Sequence, residues 1–275
     1  MLKFIASVVI ISVSIGSSLI AQEVTGVNPE PGATTLFSRE PDPQAPQIDG
    51  PPPTPRHTGI KAMIKQLGPD LKQLPSKENL YWALGGGAAA LAVHPADEYV
   101  QQHMLGNRLA DDIFKPGQVL GIVGPWAGSI ATYAWGRIKD QPKVSHVGMD
   151  LIQSQLIAAG LTQGLKYATQ RERPDGSGAT SFPSGHASGT FAFATALERH
   201  LGWRYAVPAY VAASYVAASR LPSNRHWLSD VVFGATVGII SGRTVTSKEA
   251  QPYPISVHPL PGGAVVAYSP ARFNR

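Results

Sequence analysis

At 275 residues, 43% hydrophobic but only 15% charged, the chain is long enough for one substantial domain with tails and must bury much apolar surface. The absence of cysteine excludes disulfides, thiolate metal sites and cysteine nucleophiles. The net charge of +5 favours anionic partners, but the basic residues are dispersed rather than gathered on one face, which argues against nucleic acid.

Lys3, the uncharged run from Phe4 and the small residues ending at Ala21 have the layout of a secretory signal, so residues 1–21 are expected to be a signal peptide. The domain is then exported, periplasmic or secreted. An uncleaved anchor is the alternative, because the run is almost long enough to span a bilayer. Residues 29–55 contain nine prolines and no apolar periodicity, so 22–58 read as a Pro-rich linker. In the next stretch Ile60, Met63, Ile64, Leu67, Leu71 and Leu74 recur at helical spacing with Lys61, Lys65 and Lys72 elsewhere. This predicts a helix packed on a bundle, with a membrane-surface helix as the other reading.

From Asn79 helix follows helix, over 79–93, 117–137, 145–172, 185–200, 204–219 and 226–242. These Ala-, Gly- and Leu-rich segments without strand-like alternation predict a compact all-α bundle over residues 59–245. The glycines of "ALGGGAAALAV" and "GPWAG" lack the Lys and Ser/Thr of a phosphate loop and read as packing positions. A mean hydropathy of −0.04, and an uncharged run from Pro116 to Gly136 diluted by Gly, Pro, Ser and Thr, favour a soluble exported bundle. The alternative is an inner-membrane protein with its site facing the periplasm. After Arg243 two β-prone runs around Pro261, Gly262 and Gly263 predict a short hairpin in the 246–275 tail.

The charges of the second half fall in three places. Lys166 and Arg173, seven residues apart, can share a helix face, with Pro174 expected to end that helix. Ser184 can cap the next helix, whose free N–H groups at Gly185 and His186 would suit an anion. Arg220 precedes a turn, and His226 and Asp230 are spaced to stack on one helix face, the carboxylate orienting the imidazole. Taken singly, each place has a plainer reading as a helix cap, a dipole partner or a surface pair. Taken together, three cations can neutralise a phosphate dianion, with one histidine paired to a carboxylate and one free. In-line phosphoryl transfer needs that division between a nucleophile and a proton donor for the leaving oxygen.

Lys-x6-Arg-Pro (Lys166 to Pro174), Pro-Ser-Gly-His (183 to 186) and Ser-Arg-x5-His-x3-Asp (Ser219 to Asp230) resemble, in order and spacing, the three-part signature of the type 2 phosphatidic acid phosphatase and vanadium haloperoxidase superfamily. The resemblance implies the all-α bundle of that superfamily. It also implies that Lys166, Arg173 and Arg220 hold the phosphate, aided by Ser184 and the Gly185 N–H. His226 would attack phosphorus to form a phosphohistidine, Asp230 would orient it, and His186 would protonate the leaving alkoxide. The implied activity is metal-independent hydrolysis of phosphomonoesters, including lipid phosphates or isoprenyl pyrophosphate at a membrane surface, without a cofactor. The alternative within the same signature is a haloperoxidase holding vanadate in the anion site. The remaining histidines show no metal-ligand spacing, Arg171, Glu172 and Arg225 read as solvated, and a homo-oligomer is left open.

Overall fold

The computed structural model describes residues 59–247 together with the backbone of two strands, Ile255–Leu260 and Gly263–Tyr268. The expected signal peptide (1–21), the Pro-rich linker (22–58) and the remainder of the tail lie outside the described residues.

Eight α-helices follow one another in the described residues: α1 (Ile60–Gln73), α2 (Lys77–Val93), α3 (Asp97–Met104), α4 (Arg108–Ile138), α5 (Pro142–Thr169), α6 (Gly185–Leu201), α7 (Trp203–Ala218) and α8 (Leu228–Val245). Local chemistry sets several of their ends. Ser76 caps α2 by accepting the Asn79 N–H at 3.2 Å, and Asn107 caps α4 by accepting the Ala110 N–H at 3.2 Å. Pro142 opens α5, where its missing N–H costs nothing. The C-terminal strands β1 (Ile255–Leu260) and β2 (Gly263–Tyr268) pair antiparallel, with Ile255 opposite Tyr268.

The helix boundaries correct the sequence reading in three places. The segment expected at 117–137 begins at Arg108, because the Asn107 cap precedes it and both Pro116 and Pro125 are carried inside α4. The segment expected to run to Glu172 stops at Thr169, where Gln170 turns left-handed at φ 46°, so Arg173 lies in a loop rather than on a helix edge. The segment expected from His226 starts at Leu228, after Trp227 at the N-cap. The short α3, following a 3-10 turn at His94–Ala96, has no counterpart in the sequence reading.

Helix α8 is the core of the bundle and packs against α2, α5 and α6. Val231, Val237, Ile240 and Val245 are buried along it. Its small residues allow backbone contact: a Cβ at Gly234 would lie 2.6 Å from the Ser184 carbonyl oxygen of α6. Among the glycines read as packing positions, Gly86 lies tightly on Thr236 of α8, whereas Gly85 and Gly124 face open space. The close α6–α8 contact places two helix N-termini side by side, joined by the Ser184 N–H donating to the Asp230 carbonyl at 2.9 Å.

The outer surface departs from that of a soluble bundle. Large apolar side chains are exposed on α2 (Tyr81, Leu84, Leu91), on α4 (Val119, Ile122, Val123, Ile130, Ile138) and on α7 (Tyr205, Val211). Soluble monomers rarely expose apolar surface on this scale. Mean hydropathy concealed it because an average over the chain does not record which face of a helix the apolar residues occupy. Among the described residues α8 alone is apolar and long enough by composition to span a bilayer, and 67% of it is buried inside the bundle.

Candidate active site

The site lies where α5 and α7 end and α6 and α8 begin. Lys166, Arg173, Gly185, His186, Arg220, Arg225 and His226 line one cavity of about 340 Å³. Every cation and histidine predicted from the sequence therefore meets in one place, with Ser184 and Asp230 buried directly behind. The start of α6, which no side chain caps, adds the partial positive charge of its first N–H groups, whereas the start of α8 is capped by Asp97 and Asp230.

Three buried donor atoms at this wall have no protein partner: Arg173 Nε, Arg220 Nε and Ser184 Oγ. The sequence assigned Ser184 a capping hydroxyl. It does hold the N-cap position of α6, but its side chain makes no capping bond, which leaves the hydroxyl for a ligand. Arg173 is steadied by a bond from Nη2 to Thr180 Oγ1 at 3.1 Å. Lys166 is 8% exposed, and its ammonium donates to the carbonyls of Thr180 and Ser181. A third proton remains for an anion, so Lys166 both fixes the loop before α6 and contributes charge. Burial, then the neighbouring Arg225 and Arg173 charges, pushes the Arg220 guanidinium down to about 10, which leaves it protonated at neutral pH.

His226 is 6% exposed, and its Nδ1 donates to the Ser181 carbonyl oxygen at 2.7 Å. The nearest Asp230 oxygen is 3.7 Å from the same nitrogen. This corrects the expectation that Asp230 itself takes the imidazole proton. With His226 two residues before the first residue of α8, the main-chain carbonyl of Ser181 comes closer, and the consequence for the ring is the same: Nδ1 carries hydrogen and Nε2 keeps a lone pair. Burial holds the imidazole below its ordinary value, the Asp230 carboxylate opposes that, and the Lys166 and Arg220 charges add to it, so His226 is neutral near pH 7. His186, at the opposite side of the cavity, has Nε2 3.2 Å from the Gln118 carbonyl of α4. Its ring packs where a Cβ at Gly121 would come within 2.5 Å.

The surroundings of Asp230 were not foreseen. Its Oδ2 accepts the Trp227 N–H at 2.9 Å and the Ser181 hydroxyl, and its Oδ1 accepts Arg171 Nη1 at 2.7 Å. Arg171 also reaches Ser229 Oγ at 2.7 Å and, through Nη2, Asp97 Oδ2 at 2.8 Å. Asp97 in turn accepts the N–H of Ser229 at 2.8 Å and its hydroxyl at 2.6 Å. The reading of Arg171 as a solvated neighbour of the motif is corrected: after the left-handed Gln170 its guanidinium turns inward onto Asp230 and Asp97. The one local signal was a second arginine two residues before Arg173. Arg225 remains at the rim, paired with Asp175 at 3.4 Å.

A groove of about 210 Å³ adjoins the cavity between α4, α5 and α6. It shares Lys166, Gly185 and His186 and continues along Gly121, Ile122, Trp126 and Ala159.

Residues 148–251 match the family model described as the PAP2 superfamily. Over 89 residues the chain is 45% identical to the lipid A 1-phosphatase of Porphyromonas gingivalis. That stretch covers 31% of this chain and 20% of the relative, so the chain spans about a fifth of the relative's length. Two solved structures are similar at 23% identity and a TM-score of 0.45. They are Aquifex aeolicus LpxE, with 55% of this chain and 94% of that chain covered, and the transmembrane PAP2 type phosphatidylglycerolphosphate phosphatase of Bacillus subtilis, with 62% and 94%.

Proposed function

From a chain whose residues 148–251 belong to the PAP2 superfamily, we propose a membrane-embedded phosphatase that hydrolyses lipid phosphomonoesters through a phosphohistidine at His226. The observation that carries this reading is the convergence of Lys166, Arg173, Arg220 and both histidines on one cavity, with unpartnered donors at Arg173, Arg220 and Ser184.

The non-bridging phosphate oxygens take the charges of Lys166, Arg173 and Arg220, the Ser184 hydroxyl and the Gly185 N–H. Gly185 is exposed, so a ligand can approach its backbone. The neutral His226, with Nδ1–H held by Ser181, presents Nε2 to phosphorus. A phosphorus–nitrogen bond forms as the phosphorus–oxygen bond breaks, and His186 hands the leaving oxygen its proton. His186 Nε2 donates to the Gln118 carbonyl, so the Nδ1 edge performs this transfer; burial first and then the Arg220 charge hold the free imidazole down to about 4, so the proton it hands over is one it takes up when the phosphate dianion enters among the cations. Water then attacks the phosphohistidine, and His186 accepts its proton. Uncatalysed phosphate-monoester hydrolysis is slow enough that enzymes accelerate it by up to about 10²¹-fold. Fixed charges at a water-poor site supply most of such an effect. The steps use only residues of this chain and call for no metal or cofactor.

Two features favour a lipid leaving group. The groove beside His186 has an apolar side of Ile122, Trp126 and Ala159 facing a polar side of Gln155, Thr162 and Gln163, which suits the junction of a polar headgroup with an apolar chain. The outward faces of α2, α4 and α7 are apolar, and the uncharged stretch of α4 from Pro116 to Gly136 is about 30 Å long, close to the hydrocarbon thickness of a bilayer. A lipid phosphatase of Porphyromonas gingivalis shares 45% identity over the aligned stretch, which supports the same substrate class. The site would then face the periplasm.

The decisive experiment is a substrate panel of lipid A, phosphatidate, isoprenyl pyrophosphate and an artificial aryl phosphate, with wild type and His226→Ala in detergent. Turnover of the lipid phosphates by wild type, its loss in the variant and an acid-labile phosphoenzyme are the expected results. Undiminished turnover by His226→Ala overturns the mechanism, and preference for water-soluble esters overturns the lipid substrate.

A further inference from the structure

Arg171 does not line the cavity and is not among the groups assigned to the phosphate, yet its half-buried guanidinium is tied to two carboxylates and a hydroxyl by three hydrogen bonds. Nη1 lies 2.7 Å from Asp230 Oδ1 and 2.7 Å from Ser229 Oγ, and Nη2 lies 2.8 Å from Asp97 Oδ2. Its guanidinium carbon also sits 5.6 Å from the Trp227 ring centroid. Trp227, Ser229 and Asp230 all belong to the start of α8, and His226 immediately precedes Trp227. A planar fork that binds two carboxylates at once fixes both position and orientation, which a lysine cannot reproduce.

We propose that Arg171 is a positioning residue for the His226 nucleophile: it neutralises one oxygen of Asp230 and leaves the other for the Ser181 hydroxyl and the Trp227 N–H, 3.7 Å from the imidazole, with Asp97 dividing the guanidinium charge. This rests on His226 being the nucleophile. Asp97 comes from α3, 74 residues before Arg171, and is 4% exposed. It holds the Ser229 N–H and hydroxyl as well, so it anchors the α8 start and the arginine together. The same short helix steadies the His226 loop through Gln101 Nε2, which donates to Asn224 Oδ1 at 3.1 Å. The segment from Asp97 to Gln101 therefore acts as a brace for the catalytic loop.

The charge relations give opposite signs for two substitutions. Around the Asp230–His226 pair stand Lys166 from α5, Arg171 and Arg173 from the segment after it, His186 from α6, Arg220 after α7 and, beyond Arg171, Asp97. Removing Arg171 exposes the full Asp230 charge to the imidazole and stabilises its protonated form. Replacing Asp97 by Asn leaves Arg171 entirely to Asp230 and does the reverse. A residue that merely held the fold together would produce neither shift.

The test uses the full chain in detergent, with ¹⁵N-histidine NMR to follow His226 titration and an aryl phosphate to follow turnover. Arg171→Ala is expected to raise the His226 titration midpoint and the acidic limb of kcat/KM by about one pH unit. It should lower kcat about 10- to 100-fold with little change in KM. Asp97→Asn is expected to move the midpoint down, and Arg171→Lys to fall between wild type and Arg171→Ala. An unmoved midpoint in Arg171→Ala, with kcat lost in proportion to folded protein, overturns the proposal. So does a rise in KM as large as that of Arg173→Ala, which would make Arg171 a phosphate ligand. If Arg171→Ala does not fold, the signs for Arg171→Lys and Asp97→Asn decide. A wild type that turns over no phosphomonoester would sink the phosphatase reading, while the NMR titration still tests the coupling of Arg171 to His226.

Discussion

Ser181 stands between His226 and Asp230: its carbonyl accepts the imidazole Nδ1–H at 2.7 Å, and its hydroxyl donates to Asp230 Oδ2. The tautomer of His226 is therefore set by main chain, and the carboxylate acts one step away. In serine proteases, where the aspartate alone orients the histidine, Asp→Asn costs about 10⁴-fold in kcat. Here Asp230→Asn is expected to cost less, about 10²-fold, because the Ser181 carbonyl still holds the correct tautomer. Steady-state kinetics on an aryl phosphate measure this. A loss as large as that of His226→Ala would mean that Asp230, not Ser181, fixes the ring.

Burial holds His226 below its ordinary value of 6.5, so the imidazole is nucleophilic across the neutral range. As pH falls below 6.5 toward the lowered folded value, kcat/KM should decline. Stability should decline in the same window, because the unfolded chain, with the ordinary value, binds the proton first. At the alkaline end Lys166, pushed down to about 8 by burial and then by the Arg173 charge, loses its proton before Arg220 at about 10, so KM should rise as pH passes about 8. A pH series of kcat/KM and of thermal melting checks both limbs. An acidic limb centred above 6.5 contradicts the burial argument.

The sequence carried the cations and both histidines because their spacing follows from where loops and helix ends fall, and the loops here are short. It did not carry Asp97, which is 74 residues from Arg171 and reaches it only through tertiary packing of α3. Nor could it show the Ser181 carbonyl, since a main-chain acceptor has no residue signature. The end of α5 was misplaced for a physical reason: Gln170 adopts φ 46°, a conformation more usual for Gly or Asn, four residues before the Pro174 that was expected to end the helix. The bundle itself was legible from periodicity. Its lipid-like surface was not, because which face of α4 or α7 is covered depends on neighbours that only the fold defines.

The α6–α8 contact links stability to chemistry. A methyl group at Gly234 would meet the Ser184 carbonyl oxygen at 2.6 Å, Ala187 Cβ at 3.1 Å and the Ser184 nitrogen at 3.2 Å, and the Ser184 main chain has no free rotamer to swing aside, so the helices must separate. Gly234→Ala is expected to cost about 1–3 kcal/mol in stability. It should also raise KM, because displacement of Ser184 moves the hydroxyl and the Gly185 N–H away from the phosphate. Thermal melting with Michaelis kinetics on the residual folded enzyme tests this; unchanged KM would separate the packing from the anion site.

The proposed mechanism routes every step through side chains and main chain of this protein, so EDTA is expected to leave turnover unchanged. Orthovanadate should inhibit competitively, because it accepts a fifth ligand and so copies the five-coordinate phosphorus between donors fixed at Ser184, Arg173 and Arg220. Loading with vanadate and adding peroxide and bromide tests the haloperoxidase alternative directly. Halide oxidation by the loaded protein, with no phosphatase activity in its vanadate-free form, would overturn the phosphatase reading.

The outward face of α4 decides between a bilayer and water around the bundle. Val119 and Val123 are 66% and 58% exposed, four residues apart on one face, with Ile122 at 59% beside them. On a water-exposed helix Val123→Lys changes stability by no more than about 0.5 kcal/mol. At the centre of a lipid-facing helix the same lysine costs about 2.5–3.5 kcal/mol of insertion energy. Wild type is expected in the membrane pellet after alkaline carbonate washing, and Val123→Lys at several-fold lower abundance there. Wild type in the supernatant, with Val123→Lys equally abundant, would make the exposed belt an interface with another protein chain, since apolar surface of this extent is not left open to water.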